Sequence, residues 1–225
     1  MGGKLEEKIL NGRKVWTLTS AAYLKTAVAN VEEQLLLKRL KLPSRAITPM
    51  TQNYHPKLDT TPELIDDDII TYQEHIGVLR WAAELGRVDI LMELSILSSY
   101  QSLPCQGHLK QVYHIFLYLK HKPKLTLYFN PEYPPIDPSW FENSDGPDTF
   151  RDQYRDAHEE LPPEELTPTP LGRAINVVAY VDASHAANEV TRRSHTGFIL
   201  FINRSPAVWY SKARIWNLAH FQVSL

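Results

Sequence analysis

Apolar and polar positions alternate in a way that divides the chain into short strands and longer helices. The opening segment, KLEEKIL-NG-RKVWTLT, places two strand-like runs on either side of Asn11-Gly12. Both residues of that pair tolerate positive φ, as a two-residue hairpin loop requires, so the spacing predicts a β-hairpin. From there the period changes. Leu24, Ala27, Val28, Val31 and Leu35 recur at helical spacing, with Thr19 or Ser20 available as a cap and Pro43 as a stop. Residues 43 to 70 hold several prolines and predict a linking loop. Thr71-Tyr72-Gln73-Glu74 then reads as a capping box, and a helix is expected through YQEHIGVLRWAAEL until Gly86. A second helix is predicted over VDILMELSILSSYQ up to Pro104. A third spans GHLKQVYHIFLYLKHK, with Leu109, Val112, Ile115, Phe116 and Leu119 on one face. The run KLTLYFN follows as a strand.

Residues 131 to 172 break this pattern, because nine of the sixteen prolines fall there among acidic side chains. Such a stretch predicts a solvated linker. Beyond it, INVVAYVDAS, HTGFILFIN and PAVWYSK are three runs rich in β-branched and aromatic residues, which predict an antiparallel sheet. The Asn203-Arg204-Ser205 turn and Pro206 separate the last two. The expected class is therefore α+β.

Charge sharpens the division. The formal net charge is -2, yet residues 131–170 carry eleven acidic and two basic side chains, leaving a mildly basic remainder. A basic surface is compatible with phosphate binding without demanding it. The single cysteine, Cys105, excludes an internal disulfide and a cysteine-based zinc cluster. No apolar run is long enough to span a membrane, and the start lacks a charged-then-apolar leader. The expectation is an intracellular protein, in cytoplasm or nucleus, with no membrane partner and no small-molecule substrate. Met-Gly-Gly resembles an acylation site, but Glu6 stands where Ser or Thr is needed.

Few residues suggest chemistry. Asp66, Asp67 and Asp68 invite a metal reading, but acidic residues at a helix start also offset its partial positive charge. His108, His114 and His121 are six and seven residues apart, unlike an i, i+4 zinc pair. No Gly-rich phosphate loop or serine-nucleophile elbow is present. Asp182, inside the apolar run VVAYVDAS, is either a carboxylate held by metal or a residue that ends its strand.

Several blocks resemble one family in the same order. Tyr72-Gln73-Glu74-His75-Ile76-Gly77-Val78-Leu79-Arg80-Trp81 and Gly86-Arg87-Val88-Asp89-Ile90 are similar to the segment that follows the polymerase palm in copia-type retrotransposon Pol polyproteins. Leu97-Ser98, Pro104, Gly107-His108, Val112, Ile115 and Tyr118-Leu119-Lys120 extend the resemblance. Tyr180-Val181-Asp182-Ala183-Ser184-His185-Ala186, Thr191-Arg192-Arg193-Ser194, Thr196-Gly197 and Trp209-Tyr210-Ser211-Lys212 resemble the opening of that family's RNase H domain.

The resemblance implies a reverse-transcriptase C-terminal region over 1–130, with the end of the palm and a helical thumb or connection bundle. It implies an acidic linker over 131–172 and a truncated RNase H-like antiparallel sheet over 173–225. Asp182 matches the first RNase H carboxylate, which would serve catalysis and hold metal. Arg192, Arg193 and Lys212 match positions near the nucleic-acid backbone, although solvated hairpin positions explain them equally well. The parent enzyme would use Mg²⁺ and an RNA–DNA hybrid or primer-template. RNase H cleavage needs roughly four carboxylates about two metals. The polymerase carboxylates lie upstream of the segment present, and no acidic residue follows Glu189. After Lys212 the chain reads Ala213-Arg214-Ile215-Trp216, where the family has Arg-Gln and then a helix bearing a Glu. A frame change, a mis-spliced exon or a truncation is expected there. A fragment without independent catalysis, and with no metal bound, is therefore expected; a residual nucleic-acid-binding module is the alternative. A sheet cut off from its covering helices should also leave apolar side chains bare.

Overall fold

The computed structural model describes residues 2–135, 172–184 and 194–213. Its described elements form an α+β fold of four α-helices and two three-stranded antiparallel sheets, the first of which takes its third strand from beyond the helices. Strands β1 (Lys4–Leu10) and β2 (Arg13–Thr19) close through Asn11 and Gly12, at φ 50° and 78°. Only residues at ease in the left-handed region make such a loop, and Leu10 pairs with Arg13 directly across it. A later strand, β3 (Thr126–Phe129), joins the other side of β2, so the order is β1-β2-β3. Val15 and Thr17 of the central strand are buried and its alternate residues are not, the period-two pattern of a half-covered sheet.

Helix α1 (Ala21–Leu37) starts where the Thr19 hydroxyl accepts the Ala21 N–H at 3.3 Å. It ends six residues before Pro43. Arg39 takes a left-handed φ of 56°, and Leu40 and Arg39 donate back to the Leu35 and Leu36 carbonyls at 2.8 and 2.9 Å. That reverse turn satisfies the helix's last carbonyls, so the proline is not needed as a stop.

Helix α2 (Asp66–Glu84) begins six residues earlier than the Thr71–Glu74 pattern suggests. Thr71 is internal, and its hydroxyl donates to the Asp67 carbonyl at 2.8 Å instead of capping. Its other end is a second reverse turn on Gly86 (φ 98°), with Gly86 and Arg87 donating to the Ala83 and Ala82 carbonyls at 3.0 and 3.1 Å. A Cβ on Gly86 would stand 2.7 Å from Leu127 of β3, so space as well as φ requires glycine there.

The second predicted helix is shorter than its pattern: a 3₁₀ turn (Val88–Ile90) leads into α3 (Leu91–Ser98). Helix α4 (Gln106–His121) buries the five apolar positions that its spacing singled out. Its cap uses atypical residues. The Cys105 side chain accepts the His108 N–H, and His108 Nδ1 accepts the Cys105 N–H at 2.9 Å. The lone cysteine and one of the histidines are thus committed to a helix end.

The core lies among α1, α2, α3 and α4, where Leu24, Tyr72, Leu79, Ile90, Val112 and Phe116 lose nearly all contact with water. No described helix is long and apolar enough to cross a membrane. The second sheet has the order β4-β5-β6, from β4 (Val177–Ser184), β5 (His195–Ile202) and β6 (Ser205–Ala213). It is a meander with an irregularity between Leu200 and Phe201. Val177, Tyr180, Val181, Val208 and Tyr210 are exposed on it, the bare apolar surface that the sequence led us to expect.

Candidate functional site

Asp182 lies on β4, an outer strand of the second sheet, and its side chain is exposed. The burial that would make a carboxylate costly in VVAYVDAS is absent, so the expected need for a partner disappears with it. The ladder puts Asp182 opposite Gly197, and Gly197 opposite Ser211. These three share one face. His195, two residues before Gly197, shares it too, and His195 Nε2 and Ser211 Oγ are 2.7 Å apart. Burial lowers the His195 pKa. Its backbone N–H donates to Ser184 Oγ at 3.1 Å. Serine and histidine hold one another in orientation across the strand pair.

Lys212 is exposed and sits opposite Thr196, one position along the ladder from the Asp182 row. Successive side chains of a strand point to opposite faces, so Lys212 and Asp182 project from opposite sides of the sheet. The two candidate positions that the structure describes therefore do not converge. Arg192 and Arg193 lie outside the described residues.

Among the described residues, Asp182 is not joined by the further oxygen donors that a Mg²⁺ centre needs. Asp182 has a glycine and a serine as its row neighbours, and no group of three or more His, Cys, Asp and Glu is placed to hold an ion among the described residues. A hard divalent cation needs several oxygen donors at once. Asp66, Asp67 and Asp68 form the first turn of α2, where negative charge suits the helix end, and Asp68 pairs with Lys38, the residue after α1, at 2.6 Å. The three helix histidines are also separately occupied. His108 Nε2 reaches the Pro56 carbonyl at 2.9 Å and His114 Nε2 the Thr48 carbonyl at 3.0 Å, while His121 Nδ1 lies 3.5 Å from the Ala46 carbonyl.

Two buried polar side chains, Arg87 and His75, stand in the resembling blocks with no role that the sequence assigns them. Arg87, only 1% exposed, forms a two-pronged ion pair with Asp89: Nε to Oδ1 at 2.8 Å and Nη2 to Oδ2 at 2.7 Å. The Tyr118 hydroxyl adds a third bond to Asp89 at 2.9 Å. Burial by itself pushes the Asp89 carboxyl up, but the Arg87 bonds and charge outweigh it and the pKa ends below the ordinary value. Arg87 Nη1 is buried with no partner among the described residues. The Arg-x-Asp spacing was the available signal, but a spacing of two does not reveal burial.

His75 is the other. It is buried, its Nε2 has no partner among the described residues, and its ring stands edge-on to Tyr113 and Phe116 at 5.7 and 5.3 Å. Burial brings its pKa down to about 4. Helical position alone could have marked it, since Tyr72, Ile76 and Leu79 lie on the same buried stripe.

The second sheet is tied to the end of α2 and to the segment that follows β3. Trp209 Nε1 donates to the Ala83 carbonyl at the end of α2, at 3.0 Å. Ser205 Oγ donates to the Asn130 carbonyl at 3.0 Å, and Asn203 Nδ2 to the Pro131 carbonyl at 3.1 Å. Arg204 pairs with Glu132 at 3.2 Å. Compared with known family models, curated proteins and solved structures, the chain matches none.

Proposed function

We propose that this chain is a piece of a copia-type retrotransposon polyprotein, running from the end of the reverse transcriptase into the opening of RNase H, with no catalysis of its own. In this reading residues 1–130 are the end of the palm with the thumb or connection helices. Residues 131–172 are an acidic linker, and 173–225 start the nuclease domain. The observation that carries the reading is where the resembling blocks fall. Gly86 and Arg87 are buried, and Asp89, half-buried beside them, bonds to Arg87 and to Tyr118 of α4. Gly107 donates its N–H to Thr61 at 2.8 Å, and His108 closes the α4 cap. Trp209 ties the last strand back to α2. Blocks far apart in sequence thus act as architecture, which is the role of a segment that positions nucleic acid for chemistry performed elsewhere.

Two measurements test this. Sequencing the transcript past the Lys212 codon and upstream of Met1 is expected to find remnants of a Tyr-x-Asp-Asp turn; flanking sequence with no polymerase remnant overturns the origin. Incubating the full chain with a labelled RNA–DNA hybrid and Mg²⁺ is expected to give no cleavage above a protein-free control. Cleavage that disappears in Asp182→Asn overturns the inactive reading.

A second reading, a residual nucleic-acid-binding module, is favoured by the exposed Lys212 and the basic balance outside residues 131–170. It predicts hybrid affinity that falls steeply with salt, because each neutralised phosphate releases counterions.

A further inference from the structure

One end of the α1–α2 pair shows an unexplained combination of side chains. Leu36 and Leu37, in the last turn of α1, are 69% and 82% exposed, and Leu40 in the reverse turn after it is 53% exposed. Ile65, the residue before α2, is 76% exposed. The core-facing stripe of α1 is already complete with Leu24, Ala27, Val28, Val31 and Leu35. These additional apolar residues are therefore left exposed by the described residues. The Lys38–Asp68 ion pair at 2.6 Å holds the two helix ends side by side, so the apolar residues of both belong to one end of the molecule.

Charges of opposite sign flank them. Arg39 and Lys41 are exposed on the α1 side, while Asp66 and Asp67 are exposed on the α2 side. None of the four has an ion-pair partner among the described residues. A patch with an apolar centre, one positive flank and one negative flank is complementary to itself after a half-turn, the condition for an isologous interface. An anionic lipid surface or nucleic acid would be repelled by Asp66 and Asp67 and would leave the positive flank half used. We infer that this end of the α1–α2 pair docks a second copy of the same chain. Leu36 and Leu37 lie near the two-fold axis, and Arg39 and Lys41 of each copy face the acidic first turn of the partner's α2.

Charge reversal tests the assignment on the full chain by light scattering over a concentration series in low salt. Wild type is expected to move towards twice the single-chain mass. Arg39→Glu with Lys41→Glu, and separately Asp66→Lys with Asp67→Lys, are each expected to stay at single-chain mass. Mixing the two variants in equal amounts is expected to restore the doubled mass, because opposite flanks meet again; this recovery also shows that both are folded. Leu36→Ser with Leu37→Ser is expected to abolish association in every mixture. A wild type at single-chain mass throughout overturns the inference. So do a doubled mass that survives the charge reversals, as an interface through the second sheet would give, and a mixture that fails to associate.

Discussion

The helical body and the second sheet draw on similar side chains and reach different ends. Both are rich in Ile, Leu, Val, Phe and Tyr. In the helical body those residues meet from four helices, and Tyr72, Leu79, Ile90, Val112, Ile115 and Phe116 are sealed from water. In the second sheet Thr196 is the only described residue to reach that state, and Tyr180, Val181 and Tyr210 face outward. The difference comes from the number of surfaces that close on each element. Apolar side chains stabilise a fold in proportion to the area removed from water, about 25 cal/mol per Å². A sheet fastened along one strand, through Trp209 and the Ser205 turn, removes less of it. Apolar composition supplies the potential for burial, and a second layer is needed to realise it.

The widest separation between the regions should appear on truncating one phenylalanine in each. Phe116→Ala opens a cavity in the sealed core and is expected to cost about 3–5 kcal/mol in urea unfolding. Phe198→Ala loses mainly its stack on Tyr210, with ring centroids 5.4 Å apart, and is expected to cost about 1 kcal/mol. Equal costs would mean that the second sheet is covered as well as the helices are.

Acid should separate them next. His75 has its folded pKa lowered to about 4, against about 6.5 in an unfolded chain. Its contribution is therefore complete above pH 6.5 and is lost as pH falls towards 4, because only the unfolded chain takes up the proton in that window. Full loss amounts to about 3 kcal/mol. His75→Phe should flatten this part of the stability profile; an unchanged slope would assign the titration to other groups. His195 shifts in the same direction and adds to the loss with the same sign.

The tie between the regions is a smaller effect. Trp209→Phe keeps an aromatic ring and removes one hydrogen bond to Ala83, worth about 1 kcal/mol. Amide exchange in β5 and β6 is expected to quicken while that in α4 stays unchanged. Exchange rising equally in both would show that the two regions unfold as one unit. Smallest of all is Asp182→Asn. An exposed side chain on an outer strand is expected to shift stability by less than about 0.5 kcal/mol. A larger change would reveal a partner for Asp182 beyond the described residues.

Much of the local structure could be read without coordinates. Asn11-Gly12 marked the hairpin, and Leu109, Val112, Ile115, Phe116 and Leu119 marked the buried face of α4. The errors came where a local rule competed with contacts from elsewhere. Thr71 and Glu74 matched a capping pattern, yet α2 extends back to Asp66, where Asp68 meets Lys38 at the end of α1. The cap of α4 was invisible because it depends on His108, whose other ring nitrogen is fixed by Pro56. The candidate site was less legible still. In VVAYV apolar residues occupy both parities, so no alternation revealed which face Asp182 takes. The pairing register decided that it turns away from Lys212.

The sequence by itself determined the turns, the helical stripes and the three runs of the second sheet, because these follow from backbone sterics and from side chains three or four residues apart. It also determined the acidic, proline-rich composition that divides the chain. Only the tertiary structure decided that Arg87 is buried against a half-buried Asp89, that Trp209 bonds to the end of α2, and that Asp182 lies in solvent. Burial and hydrogen-bond partners are set by segments distant in sequence, and a local pattern carries no information about which segment will arrive.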